Sequence, residues 1–88
     1  MAIPEDIQKY VENHIELLMQ QTKSYLPFIK VAFPFSNTAD ACYSLIIGNA
    51  LSVFINQYAM RIKYPTKSDF EEFGKIAIKY KERIEKLF

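Results

Sequence analysis

Residues 41–60 read ACYSLIIGNALSVFINQYAM, twenty consecutive positions without a charge and with a glycine and an asparagine, Gly48 and Asn49, near the middle. The stretch is the heart of the longest helix the sequence predicts. Upstream, Ser36, Asn37 and Thr38 offer N-cap side chains. Downstream, Pro65 stops the pattern, because the residue before a proline is pushed out of the helical region. The helix is therefore expected over about residues 36–64.

At 100° per residue the wheel of this helix has two apolar sides. Within about 40° of Gly48 fall Ala41, Ser44, Ser52, Ile55, Ala59 and Ile62, most of them small. The opposite half carries Cys42, Tyr43, Ile46, Ala50, Val53, Phe54 and Met60. Asn49, Asn56 and Lys63 recur at seven-residue spacing as a thin polar seam. A helix apolar on two sides must be covered twice. Glycine inside a helix costs about 1 kcal/mol relative to alanine. The pattern Ser44-x-x-x-Gly48-x-x-x-Ser52 offsets that cost if another helix backbone comes close. Four readings of Gly48 follow: a kink, a seat for another helix of the same chain, a seam where the helix crosses its own copy, or a small pocket above the missing side chain.

Helices flank the central one. The first is expected over about 4–25, with Pro4 near its start and Glu5 and Asp6 facing the positive end of the helix dipole. Ile7, Val11, Ile15, Leu18, Thr22 and Tyr25 recur at steps of three and four, one apolar face. The last helix is expected over about 68–87, opened by Ser68-x-x-Glu71 as a capping box. Phe70, Phe73, Ala77, Tyr80, Ile84 and Leu87 then make its apolar stripe. Residues 26–35, LPFIKVAFPF, contain two prolines among large apolar side chains and read as an apolar connection, with one short helical turn after Pro27 or an extended stretch, serving as a lid over one end of the core, a contact for a partner, or a membrane-surface or ligand-gating segment. The expected fold is thus all-α: a three-helix, bundle-like single domain over residues 1–88.

Size sharpens the question of what covers the second apolar side. A chain of 88 residues with seven Phe and six Tyr has little interior to hold so many rings. Some must lie at the surface or in an interface. Gly48, Ala41, Ser44, Ser52, Ile55 and Ala59, with Phe28, Phe33 and Phe35 as aromatic anchors, form the expected interface with a second copy. A protein partner is an alternative occupant.

Other chemistry is declined residue by residue. His14 is the single histidine and Cys42 the single cysteine, so no zinc set, no internal disulfide and no cysteine–histidine pair is indicated. With two glycines there is no phosphate-cradling loop. No catalytic, metal or cofactor residue is assigned. Cys42, near a helix start, is expected to have a somewhat lowered pKa. Net charge is +1, with Lys and Arg concentrated after residue 60. Arg61, Lys63 and Lys67 are the candidate phosphate contacts of a weak nucleic-acid binder, although nucleic acid is not the expected partner. Tyr43, Phe54 and Tyr58 would line the pocket of a small ligand-binding or sensory bundle. Residues 41–60 match a spanning length, but the side-chain amides of Asn49, Asn56 and Gln57 are costly in lipid, so no membrane span is expected. The lone thiol and the lack of a secretory leader point to a cytoplasmic protein. The function expected is a non-catalytic, self-associating helical module.

Overall fold

The computed structural model describes residues 2–34 and 37–88, so the expected anchor Phe35 lies outside the described residues. Among the described residues four helices are formed: α1 (Glu5–Ser24), α2 (Leu26–Ala32), α3 (Thr38–Ala59) and α4 (Lys67–Leu87). The all-helical, bundle-like class expected from the sequence is the one observed, with α1, α3 and α4 packed together and α3 at the centre.

Each end of α3 has a local cause. Asn37 is its N-cap, and the Asn37 side chain accepts from the Asp40 backbone N–H at 3.2 Å, satisfying one of the helix's free donors. The C-terminus departs from expectation. The helix stops at Ala59, well before Pro65, because the chain closes a Schellman turn. The N–H of Ile62 donates to the carbonyl of Ala59 at 2.9 Å, and that of Lys63 reaches back to Tyr58 at 3.0 Å. This turn requires a left-handed residue, and Ile62 supplies it with φ of 56°. Ile62 is therefore not on the Gly48 face of the helix at all. A β-branched residue in that conformation is strained by roughly 1–2 kcal/mol, and its side chain, 96% exposed, recovers nothing by packing.

Two further boundaries move. Of the two forms expected for the connection at 26–35, the helical one is observed and is longer than a single turn: seven of its residues, Leu26–Ala32, form α2 with a proline in the first turn. At α4 the capping box lies two residues earlier than expected. Thr66, not Ser68, is the N-cap: its hydroxyl accepts from Asp69 N at 3.2 Å and the Asp69 carboxylate accepts from Thr66 N at 2.8 Å. The residue after Pro65 is already extended, with ψ of 172°, which suits a cap.

The core forms where the faces of α1, α3 and α4 meet. Ile7, Val11, Ile15 and Leu18 of α1 join Ile46, Ala50, Phe54 and Tyr58 of α3 and Phe73, Ile76, Tyr80 and Ile84 of α4. Phe54 is the hub. Its ring stacks on Phe73 at 5.0 Å and meets Tyr58 and Phe70 edge-on at 5.1 and 5.9 Å. Such pairs each contribute about 0.5–1.5 kcal/mol beyond their buried area. A smaller cluster joins Ile29 of α2 to Ala41 and Cys42 of α3, with Leu26 and Phe88 beside it.

Substituting Ile62→Gly relieves the left-handed strain while giving the unfolded chain about 0.4–1 kcal/mol of extra freedom. A net gain of about 0.5–1 kcal/mol is expected, raising Tm by a few degrees in calorimetry.

Candidate functional site

The expected interface residues fall into two groups. Ser44, Gly48, Ser52 and Ala59 are exposed along one side of α3, with Leu45 between them. Ala41 and Ile55 do not share that exposure: Ala41 is buried beneath α2, and Ile55 is half-buried against the main core. The short helix thus covers the first turn of the small-residue face, and the face is open from Ser44 onward. The readings of Gly48 narrow accordingly. A Cβ built on Gly48 would meet nothing within 4 Å among the described residues. No helix among the described residues is seated on it.

Around the open face lie apolar side chains that the wheel alone did not reveal. Phe33, 39% exposed, lines a shallow groove with Asp40, Ala41, Ser44 and Leu45 at the start of the face. Phe28 and Val31 are exposed on α2, and Tyr10 and Leu17 on α1. His14 falls between those two in the same α1 stripe, and its Nε2 lies 3.1 Å from the Asn49 carbonyl oxygen. Asn49 edges the open face, so the Tyr10–Leu17 stripe runs alongside it. Helical spacing from His14 was the signal for this neighbour, once Asn49 was known to meet it.

The remaining sequence candidates are placed as follows. Phe54 is fully buried, and the Tyr43 hydroxyl donates to the Ala77 carbonyl at 2.9 Å, so these two rings fill the core between α3 and α4 rather than line a ligand pocket with Tyr58. Tyr58 is buried, its hydroxyl has no hydrogen-bond partner among the described residues, and burial together with the nearby Asp69 carboxylate pushes it above the ordinary tyrosine range. Cys42 is fully buried, and burial raises its thiol rather than lowering it. The N-terminal dipole effect expected for it is outweighed by desolvation. Of the three basic candidates, Arg61 is ion-paired to Asp6, while Lys63 and Lys67 have no carboxylate partner among the described residues. By length and a mean hydropathy of 1.4 alone, α3 is apolar enough to cross a membrane. No protein-family model, curated protein or solved structure matches the chain.

Across the bundle, α1 and α4 are clasped by polar groups around Tyr80. Glu12 accepts from Lys79 and, at 3.2 Å, from the Tyr80 hydroxyl. Arg83 holds Glu16 with two bonds of 2.7 and 2.8 Å. It also lies over the Tyr80 ring at 5.2 Å. The bidentate fork favours this geometry, although exposed pairs of this kind contribute little individually. Burial, and then the flanking Glu12 and Glu16 anions, push the Tyr80 hydroxyl well above the ordinary value of 10.0. The folded state therefore holds it neutral where the unfolded chain would ionise it. Its contribution is complete below pH 10.0 and is lost as pH rises further. Urea titrations at increasing pH should show stability declining above that point, and Tyr80→Phe should flatten the decline.

Proposed function

We propose that the protein is a non-catalytic helical module that associates with a second copy of itself through the open face of α3. The observation that carries this reading is Gly48. It costs about 1 kcal/mol of helix propensity at a position where no neighbour among the described residues requires a small residue. A second α3 crossing at Ser44, Gly48 and Ser52 would use the close approach that the glycine permits.

The size of such a contact favours participation by the flanking rings. The face from Ser44 to Ala59 is about 24 Å long at 1.5 Å per residue. A crossing helix pair of that length falls short of the roughly 800 Å² per partner buried in a stable interface. Phe33 and Leu45, which already share a groove with Ser44, extend the contact at one end, and exposed Leu17 and Tyr10 extend it along α1. Aromatic anchors beside a small-residue seam are a common interface composition. A cytoplasmic location and the absence of a membrane span complete the proposal. They rest on the single thiol and on the use of α3 as the core partner of α1 and α4. A different protein partner on the same face is the alternative occupant.

Gly74 of α4 provides a matched control, since a Cβ there also meets nothing within 4 Å. Light scattering should give twice the 10.3 kDa chain mass for the wild type at micromolar concentrations. Gly48→Leu should give a folded monomer, and Gly74→Leu should leave the dimer intact. A wild type of single-chain mass at high concentration refutes the proposal. So does a Gly48→Leu variant that remains dimeric.

A further inference from the structure

The turn after α3 presents an apolar knob that the bundle does not use. Met60, Ile62 and Tyr64 are 70%, 96% and 71% exposed, and they alternate with Arg61 and Lys63. Ile62 stands at the left-handed position of the Schellman turn, φ 56°, where glycine is the unstrained choice. Strain of this kind, held by the surrounding hydrogen bonds and unrewarded by packing, is concentrated at functional positions. Tyr64 is braced edge-on against Phe70 at 5.9 Å, so the knob projects from a fixed base.

We propose that this knob docks on an anionic lipid surface, with Ile62 and Met60 entering the acyl boundary and the flanking lysines meeting headgroups. Shape favours that occupant. The knob is convex, and a bilayer interface accepts a convex apolar tip without needing a matching pocket. Composition favours it too, because aliphatic side chains, an interfacial tyrosine and interleaved cations are the elements of a peripheral membrane contact. Charge adds to this. Arg61 is paired with Asp6, while Lys63 and Lys67 have no carboxylate partner among the described residues. The knob begins at Met60, directly after Ala59, at the end of α3 away from Phe33.

The test is co-sedimentation with vesicles of phosphatidylcholine containing phosphatidylserine, beside vesicles of phosphatidylcholine alone. Wild-type protein should bind the mixed vesicles, more weakly as salt rises, and bind the neutral ones poorly. Ile62→Gly, which keeps the turn unstrained and the bundle folded, should weaken binding about tenfold or more through loss of one buried aliphatic side chain. Lys63→Glu with Lys67→Glu should abolish the preference for the mixed vesicles. Wild-type protein left in the supernatant with both vesicles overturns the proposal and assigns the knob to a protein partner. Ile62→Gly binding as tightly as the wild type overturns it equally.

Discussion

Phe54 is the residue on which the arrangement depends. It lies on the buried stripe of α3 and meets Tyr58 in its own helix and Phe70 and Phe73 of α4. Above and below it along the stripe, Ile46, Ala50 and Tyr58 join the apolar face of α1. The central helix is thus shared between two partners that bring one apolar face each. With the buried faces of α1 and α4 both seated on one side of α3, Ser44, Gly48, Ser52 and Ala59 on its far side stay exposed. The open face around Gly48 follows from this division.

The polar contacts refine the bundle without creating it. The Glu12–Lys79 and Glu16–Arg83 pairs join α1 to α4 across the Tyr80 ring, and His14 reaches Asn49. Most of these groups are substantially exposed, so their net contribution is small. They fix register more than they add stability. Tyr80 differs because its ring is buried while its hydroxyl is held by Glu12.

Much of this fold was legible because periodicity records burial. Ile7, Val11, Ile15, Leu18 and Thr22 of the first stripe and Phe73, Ala77, Tyr80 and Ile84 of the last are buried as their spacing requires, whereas Phe70 is half-buried and the stripe ends Tyr25 and Leu87 are exposed. What the sequence hid were turns decided by backbone geometry. A Schellman turn normally announces itself by glycine, and this one is built on isoleucine, so the end of α3 was placed several residues too late. The box at Thr66 and Asp69 was obscured by the stronger-looking Ser68 and Glu71. The wheel placed Ser44, Gly48, Ser52 and Ala59 together, but it could not tell that α2 would cover Ala41, that Ile55 would pack on the core or that Ile62 would leave the helix. The neighbours Tyr10 and Leu17 became visible only when His14 was found beside Asn49, a contact between residues 35 apart in sequence.

The central claim is that a second α3 covers the face between Ser44 and Ala59. The most direct measurement is disulfide trapping of a Ser52→Cys variant under mild oxidation. The native thiol, Cys42, is fully buried and its pKa is raised, so the introduced cysteine is the reactive one. If two copies cross at Gly48, a covalent dimer should accumulate rapidly with helicity retained, while Gly74→Cys on the outer surface of α4 should stay monomeric. Equal cross-linking of the two variants, or none in Ser52→Cys, would contradict the account.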